Sequence, residues 1–256
     1  MSDFCFSVLA LGEKYRIMAK QLIENLEQYA SDAYVVIGTD NPTDFENYQK
    51  VIAFKLQKKG ILHCHHDQRF VIERGLKQFS LVIRMDADTK VTASIAQPTK
   101  IATGLYATHV ENLVEHNQKY VPERLPYFEK LANKLDIELD QVSFIGESLF
   151  AVSDADKSKT ENFMYQWDLI SRYAELHGIH GGEGNIIGLA AKKAGLEVYK
   201  SPTWLKKISK ARQHLDASTF GSKKSNFSQL KSKMSYHYRL NKARILALKD
   251  FDFYYR

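Results

Sequence analysis

Short apolar runs alternate with helix-forming segments through the first 88 residues, and this alternation constrains the fold more than any other feature of the chain. Four runs with the length and composition of strands lie at residues 6–11, 34–37, 51–56 and 81–85. Apolar side chains at helical spacing predict a helix over residues 13–29, and a second helix is predicted from a cap at Asp67 to Phe79. Strands that alternate with helices form a mainly parallel sheet, so we expect an α/β domain with helices on its faces.

The order of predicted elements is less regular after residue 88. Strands are predicted at residues 101–106, 143–152 and 196–199, and helices at residues 161–177 and 186–194. The connection that leads to residue 143 is polar and contains proline. Neither an internal repeat nor a low-complexity linker interrupts the pattern, so we expect residues 1–204 to form one domain.

The composition excludes several classes of protein. With 44% hydrophobic and 26% charged residues, the chain of 256 residues is typical of a globular protein and unlike a collagenous or largely disordered one. Cys5 and Cys64 are too few for a disulfide scaffold, which favours a reducing, cytoplasmic environment. No run reaches the roughly 18 apolar residues of a transmembrane helix. Asp3 and Glu13 do not suit a signal peptide, so we expect a protein that neither spans a membrane nor is secreted.

The net charge of +6 is unevenly distributed. Residues 1–204 carry 23 basic and 27 acidic side chains, whereas residues 205–256 carry 13 basic and 3 acidic ones. The C-terminal segment also contains eight aromatic residues: Phe220, Phe227, Tyr236, Tyr238, Phe251, Phe253, Tyr254 and Tyr255. This composition suits a helical segment that contacts an anionic membrane surface, a nucleic acid or a phosphate-rich ligand, and it equally suits a solvated helix pair.

Two carboxylates, Asp86 and Asp88, directly follow the fourth predicted strand. Ligands of open α/β sheets bind at the carboxyl ends of the strands, and two carboxylates one residue apart can hold a divalent cation that bridges to a diphosphate. A haloacid-dehalogenase-type phosphatase also has an Asp-x-Asp after a strand. That family requires Thr or Val where this chain has Lys90, and it requires the motif on the first strand, so the phosphatase interpretation is disfavoured.

At these residues the chain resembles the glycosyltransferases of the GT-A fold, whose Asp-x-Asp holds a metal ion and the diphosphate of a nucleotide sugar. The layout most resembles glycosyltransferase family 6, the blood-group A/B and α1,3-galactosyltransferase group. The segments that resemble this family, in order, are Val8-Leu-Ala-Leu11 with Tyr15, Gly38-Thr-Asp-Asn-Pro42, Ile145-Gly-Glu-Ser-Leu-Phe150, Gly178-Ile-His-Gly-Gly-Glu183, and Ser201-Pro202 with Trp204. The chain departs from the family where Gly181 and Gly182 stand near its Trp and Asp, and where Glu147 and Ser148 replace glycines of its acceptor strand.

The resemblance implies a role for each matched residue. The residues implied in nucleotide-sugar binding are Leu9, Ala10, Leu11, Tyr15, Asp40, Arg69, Asp86 and Asp88. Asp86 and Asp88 are also the implied ligands of Mn²⁺ or Mg²⁺, and Arg69 is preferred to Arg74 as the cation on the helix before the metal strand. His109 and Glu147 fall where the family contacts its acceptor.

Glu183 corresponds to the residue that serves the family as candidate nucleophile or cation stabiliser in a retaining reaction. Both roles place a carboxylate beside developing oxocarbenium charge. The alternative is that Glu183 only caps the helix that begins near Asn185.

A zinc site is the less favoured interpretation of His63-Cys-His-His66, because consecutive ligands point in diverging directions and no second cluster lies at the usual spacing. A loop is predicted there instead. The basic C-terminal segment has two functional interpretations, closure over the diphosphate of the donor and contact with an anionic membrane.

The sequence therefore predicts a metal-dependent glycosyltransferase that moves a sugar from a nucleotide-diphosphate donor, with UDP favoured, to a glycan or lipopolysaccharide-type acceptor. The predicted fold is a GT-A-like α/β domain over residues 1–204 followed by a basic segment over 205–256. The predicted location is cytoplasmic and peripheral to the membrane. Two alternatives stay open. The first is a nucleic-acid-binding module that uses the basic segment, although the chain contains no recognised nucleic-acid-binding motif. The second is a sugar nucleotidyltransferase, whose Gly-rich basic loop after the first strand is matched only partly by Leu11-Gly-Glu-Lys14.

Overall fold

A seven-stranded sheet flanked by helices organises the molecule. The computed structural model describes residues 3–95, 98, 102–200, 202–215 and 226–256, with the backbone alone for 226–229. The strands of the chain are β1 Phe4–Ala10, β2 Tyr34–Thr39, β3 Val51–Lys55, β4 Leu81–Met85, β5 Thr89–Val91, β6 Gly104–Ala107, β7 Val110–Asn112, β8 Ser143–Ile145, β9 Leu149–Ser153, β10 Val198–Lys200 and β11 Arg212–His214. The helices are α1 Glu13–Tyr29, α2 Gln68–Leu76, α3 Leu113–Tyr120, α4 Leu125–Leu135, α5 Lys157–Leu176, α6 Glu183–Ala194, α7 Thr203–Lys210, α8 Asn226–Ala247 and α9 Phe251–Tyr255.

The central sheet is mostly parallel, with one reversed strand. Its order is β10, β6, β9, β4, β1, β2 and β3, and every neighbouring pair is parallel except those that β9 makes with β4 and β6. The pairs β5 with β11 and β7 with β8 form two small antiparallel ribbons beside it. The arrangement is Rossmann-like, and the predicted α/β class with a mainly parallel sheet is confirmed.

Both faces of the sheet are buried, which explains why the strands contain continuous apolar runs. Alternate residues of β1 point to opposite layers, so that Cys5 joins one hydrophobic cluster and Phe6 the other. Helices α2, α5 and α6 cover the first layer, and α1 and α7 cover the second. The predicted domain boundary at residue 204 falls inside α7, whose Trp204, Leu205 and Ile208 are all buried in the second layer.

Three predicted elements differ from the structure. The strand predicted over residues 143–152 is two strands, β8 and β9, because the chain turns at residues 146–148. Helix α2 ends at Leu76, before the predicted Phe79. Asp67 precedes α2 without a capping hydrogen bond, since its carboxylate accepts instead from the backbone amides of Lys59 at 2.8 Å and Gly60 at 3.2 Å. Ile101, Ser201 and Phe220 lie outside the described residues, as does the side chain of Phe227.

Helix α6 lies against the backbone of β8, and two glycines allow this approach. A β-carbon on Gly184 would stand 2.3 Å from the carbonyl oxygen of Ile145, and one on Gly188 would stand 1.7 Å from that of Ser143. The two glycines are four residues apart and therefore share one helix face. This contact fixes the first turn of α6, and Glu183 with it, relative to the turn that follows β8.

No helix within the described ranges has the length and apolar character needed to cross a bilayer.

The close contact of α6 with β8 predicts that Gly188→Ala strongly destabilises the fold. The added methyl group would overlap a backbone oxygen that cannot rotate away, so we expect the free energy of unfolding to fall by about 3 kcal/mol, as in a severely overpacked core. Urea denaturation followed by circular dichroism measures the change. Gly181→Ala is the matched control, because a β-carbon there meets no atom within 4 Å and the backbone does not have a positive φ. Equal stability of the two variants would contradict the proposed contact.

The buried Glu175 predicts a pH-dependent stability. Its carboxylate accepts from the Ile61 amide at 3.0 Å, and burial raises its pKa to about 7, so the folded state binds more protons than the unfolded state between pH 4.5 and about 7. Three nearby charges also act on it, because Asp67 raises the pKa further while Arg69 and Lys58 lower it. Stability of the wild type therefore falls relative to Glu175→Gln as the pH rises through this window, by up to about 3 kcal/mol at pH 8.

Denaturation of both proteins from pH 4 to pH 8 checks this prediction. The two stabilities should be similar at the acid end, where Glu175 is neutral, and the variant should be the more stable at the basic end. A stability difference that does not change with pH would show that folding does not raise the pKa of Glu175.

Candidate functional site

A cleft of about 510 Å³ opens at the carboxyl ends of β1 and β4, where parallel sheets of this class bind ligands. Its wall carries Leu9 and Leu11 from the end of β1, Asp86 and Asp88 after β4, and residues from more distant segments. The lining residues are Ser7, Leu9, Leu11, Tyr15, Cys64, His65, Gln68, Val71, Arg84, Met85, Asp86, Ala87, Asp88, Glu147, Ser148, Glu183 and His214. Seven of the predicted site residues are therefore brought together: Leu9, Leu11, Tyr15, Asp86, Asp88, Glu147 and Glu183.

Asp86 and Asp88 lie in a tight turn between β4 and β5. The backbone amide of Thr89 donates to the carbonyl of Asp86 at 3.2 Å, which closes the turn. Asp88 is buried, and burial raises the pKa of its carboxyl, with the negative charge of Asp86 as a further cause. The two carboxylates repel each other, and burial disfavours the charged form of Asp88. A cation bound between them would lower both the repulsion and the cost of burying this charge.

His214 is a third candidate ligand that the sequence analysis did not identify. Strand β11 pairs antiparallel with β5 and places His214 opposite Thr89, and the amide of Leu215 donates to the carbonyl of Asp88 at 2.7 Å. The Nδ1 atom of His214 stands 3.7 Å from Oδ1 of Asp88. One ligand atom from each of Asp86, Asp88 and His214 lies within 4.8 Å of the others. Two carboxylates and one imidazole can hold a divalent cation, and this donor set suits Mn²⁺ better than Mg²⁺ because Mg²⁺ takes almost only oxygen ligands.

Arg84 is the cation at the centre of the cleft floor. Its guanidinium donates to Oδ1 of Asp86 at 2.5 Å, to the side chain of Gln68 and to the backbone carbonyl of Glu147. Arg84 therefore ties the metal motif to the turn before β9. The sequence contains a signal for it, because Arg84 interrupts an apolar strand two residues before Asp86 and so lies on the same face of the sheet.

Glu147 and Glu183 form a second acidic pair on the opposite side of the cleft. Burial raises the pKa of both carboxyls, and the charge of Glu183 raises that of Glu147 further. Oε1 of Glu183 stands 3.3 Å from Nδ1 of His65, whose own pKa is lowered by burial and by Arg84. Glu183 is the first residue of α6 and lines the cleft, and the backbone amide of Glu183 itself lowers the pKa of its carboxyl against the stronger effect of burial.

Leu9, Leu11 and Tyr15 form the side of the cleft next to α1. Tyr15 is partly exposed, and burial together with the charge of Asp88 raises the pKa of its phenol. Ala10 alternates with its neighbours and is fully buried in the core, so only its backbone is near the cleft. Asp40 does not line the cleft. It accepts from the amide of Gly12 at 3.0 Å and from Arg16 at 2.8 Å, and so holds the loop between β1 and α1 from outside.

Arg69 points away from the cleft, in contrast to its predicted role. Its guanidinium donates to the carbonyl of His66 at 2.6 Å and pairs with Asp168 on α5. Consecutive residues of a helix are about 100° apart, and in α2 it is Gln68, not Arg69, that faces the cleft. The presence of this helix was predicted, but its rotation relative to the sheet was not contained in the local pattern. Arg74 does not line the cleft either.

His109 also lies outside the cleft, in a separate group with Glu111 and His116. The Nε2 atom of His109 is 3.3 Å from one carboxylate oxygen of Glu111, and Nδ1 of His116 is 2.9 Å from the other. The backbone of His109 remains connected to the site, because its carbonyl accepts from the amide of Gly146 at 2.8 Å, next to Glu147. Of the three histidines in the segment His63-Cys-His-His66, His65 is the one that lines the cleft.

Two buried polar side chains in the cleft have no hydrogen-bond partner among the described residues. They are the hydroxyl of Ser7 and the amide nitrogen of Gln68. A buried polar group without a partner is costly, so each of these two atoms would gain from a hydrogen bond to a bound molecule.

Neither a scan of protein-family models nor a search of curated proteins gives a match to this chain. The likeness to GT-A glycosyltransferases therefore rests on the short motifs and on the positions of their residues around the cleft.

The cluster of Asp86, Asp88 and His214 predicts that Mn²⁺ stabilises the folded protein. A ligand that binds only the folded state at about 100 times its Kd adds about 2.7 kcal/mol, which raises the melting temperature by about 5 °C or more for a chain of this size. We expect this rise in the wild type, a smaller rise in His214→Ala and none in Asp88→Asn. Differential scanning fluorimetry measures all three.

Asp140→Asn is the control for the removal of one exposed carboxylate elsewhere. It should respond to Mn²⁺ as the wild type does. A full response of Asp88→Asn would place the cation at another site.

Proposed function

We propose that the protein is a metal-dependent glycosyltransferase of the GT-A type, which transfers a sugar from a nucleotide-diphosphate donor to a glycan acceptor. The observation that carries the proposal is the position of Asp86, Asp88 and His214 in one cleft with Leu9, Leu11 and Tyr15 at the carboxyl edge of the sheet. The order β3, β2, β1, β4 with a reversed strand beside β4 is consistent with that fold. The motif resemblance, which named five of these six residues, is a further support.

The donor is proposed to lie along the cleft, with its nucleotide next to Leu9, Leu11 and Tyr15 and its diphosphate next to Asp86 and Asp88. The apolar side chains and the Tyr15 ring fit a flat base, and the unpartnered hydroxyl of Ser7 below them fits a polar group of the ligand. Leaving-group charge is the main barrier in such a transfer, and a bound divalent cation supplies the positive charge that neutralises it. UDP is favoured by the resemblance alone.

The sugar is proposed to lie between the metal motif and the second acidic pair, Glu147 and Glu183. Either carboxylate can stabilise positive charge on the anomeric carbon, and Glu183 is the better candidate because α6 holds its first turn rigidly against β8. His65 stands 3.3 Å from Glu183 and can hold that side chain in position. Glu147 lies at the turn before β9 and lines the cleft, and its raised pKa suits a group that takes up a proton from an acceptor hydroxyl.

Arg84 has a positioning role in this proposal. It donates at once to Asp86 and to the carbonyl of Glu147, so it keeps the metal motif and the acceptor-side turn at a fixed separation. It also partly offsets the repulsion among the four carboxylates of the cleft, because its charge lowers the pKa of Asp88, Glu147 and Glu183 against the stronger effect of burial.

Glu183→Gln tests the proposed chemistry. The substitution keeps the size of the side chain and its contact with His65 but removes the charge next to the anomeric carbon, so kcat should fall by about 100-fold or more while donor binding is retained. Hydrolysis of a panel of nucleotide sugars with Mn²⁺ identifies the donor. Release of nucleoside diphosphate then gives kcat, and thermal shift with the same donor gives binding. Glu129→Gln, on the exposed surface of α4, is the control.

The outcomes separate the proposal from its alternatives. Pyrophosphate release from a nucleoside triphosphate and a sugar phosphate would identify a sugar nucleotidyltransferase. Salt-sensitive binding of nucleic acid without any effect of nucleotide sugars or Mn²⁺ would favour a nucleic-acid-binding module. Full turnover in Glu183→Gln would remove this carboxylate from the reaction.

A further inference from the structure

Helix α8 carries a stripe of large apolar side chains that face solvent. Leu230, Met234, Tyr238 and Ile245 are 56%, 67%, 66% and 66% exposed, respectively. At about 100° per residue these four positions lie within about 80° of the helix circumference. Isolated exposed apolar residues are ordinary, but four on one helix face, with the polar Asn241 between Tyr238 and Ile245, form a surface that a partner can cover.

Positive charges border this stripe on both sides. Lys231 and Lys242 lie next to one edge on the helical wheel, Lys233 and Arg244 lie next to the other, and all four are exposed. The helix contains no acidic residue from 226 to 247. The outward face of α8 therefore combines apolar side chains with flanking positive charges, the two features that bind a helix face to an anionic bilayer surface.

The opposite face of α8 is fixed to the domain, so the stripe is held outward. The Nε atom of Arg239 donates to the carbonyl of Ile61 at 3.1 Å, and Ala247 is fully buried. Beyond the helix, the hydroxyl of Tyr254 donates to the carbonyl of Leu169 on α5 at 3.3 Å. The apolar stripe therefore cannot turn inward and cover itself without breaking these contacts.

We propose that α8 docks the protein on an anionic lipid bilayer, with Leu230, Met234, Tyr238 and Ile245 inserted at the level of the acyl chains and the flanking Lys and Arg side chains among the headgroups. This inference does not depend on the chemistry proposed for the cleft. Hydrocarbon is the partner that matches an aliphatic row, and anionic headgroups match its borders.

Two other partners fit the surface less well. Nucleic acid would match the positive borders but not the aliphatic centre, since its backbone offers phosphate and its bases offer flat rings. A second copy of the chain would match the apolar centre but would bring basic borders against basic borders, with no acidic residue on α8 to pair with them.

Docking through α8 would also position the cleft. Arg239 holds the loop before His65, and the ring of Tyr236 lies 6.4 Å from that of His180, in the segment that leads to Glu183. Both contacts place the helix beside the acidic side of the cleft. An acceptor carried by a lipid would therefore approach from the surface on which α8 lies.

Vesicle cosedimentation of the full chain tests the proposal, with vesicles of phosphatidylcholine alone and of equimolar phosphatidylcholine and phosphatidylglycerol. We expect binding to the anionic vesicles, weaker binding at high salt and little binding to the neutral ones. Each lysine neutralised in Lys231→Gln/Lys233→Gln should lower the partition coefficient by about fivefold. Met234→Gln/Ile245→Gln should lower it at least as much, because the inserted apolar area is lost.

Matched controls change equally exposed residues elsewhere. Ile17→Gln/Tyr165→Gln removes apolar surface that is 52% and 59% exposed, and Lys77→Gln/Lys130→Gln removes two exposed charges. Both should bind vesicles as the wild type does. All variants should keep the wild-type melting temperature and its rise with Mn²⁺, so a failure of membrane binding is distinguishable from a failure of the cleft.

Equal binding to neutral and anionic vesicles, or wild-type binding by the two α8 variants, would overturn the proposal. A dimer in sedimentation velocity that Met234→Gln/Ile245→Gln converts to a monomer would overturn it as well, because the stripe would then belong to a second copy of the chain.

Discussion

The reversed direction of β9 is the constraint on which the candidate site depends. Strand β4 pairs in parallel with β1 and antiparallel with β9, and Met85 stands opposite Leu149. The residues that follow β4 and the residues that precede β9 therefore meet at the same edge of the sheet. A parallel β9 would place Glu147 at the far end of the molecule, about 15 Å away for a strand of this length. Arg84 then joins the two segments through Asp86 and the carbonyl of Glu147.

Four carboxylates lie in one cleft, and nearby positive charge offsets their mutual repulsion and desolvation only in part. Asp88, Glu147 and Glu183 all have pKa values raised first by burial, while Arg84 is the charged partner that lowers each of them. Together with Asp86 these groups are arranged as two pairs, one beside His214 and one beside His65. In the proposed function, a cation bound to the first pair would stabilise the site and leave the second pair free for chemistry.

The basic C-terminal segment contributes to the molecule in two distinct ways. Its first part, through β11, completes the candidate metal site with His214 and packs α7 into the core. Its last part, α8 and α9, lies on the outside of α5 and presents an apolar stripe with basic borders to solvent. The basic residues of this segment therefore fall into two groups. Some lie near the acidic cleft, where their positive charge offsets the repulsion between carboxylates, and the others lie on an outward surface.

The sequence by itself determined the class of fold, because strands buried on both faces require continuous apolar runs and the helices between them require apolar side chains at helical spacing. It also determined that Asp86 and Asp88 follow a strand and line the ligand-binding edge. Only the tertiary structure decided which distant residues join them. His214 reaches the site through the pairing of β11 with β5, and Gln68 replaces Arg69 through the rotation of α2. Glu183, which the resemblance had implied, is held in position by the glycine contact of α6 with β8. Local periodicity fixes which face of an element is buried, but the direction of a strand and its neighbours depend on the packing of the whole domain.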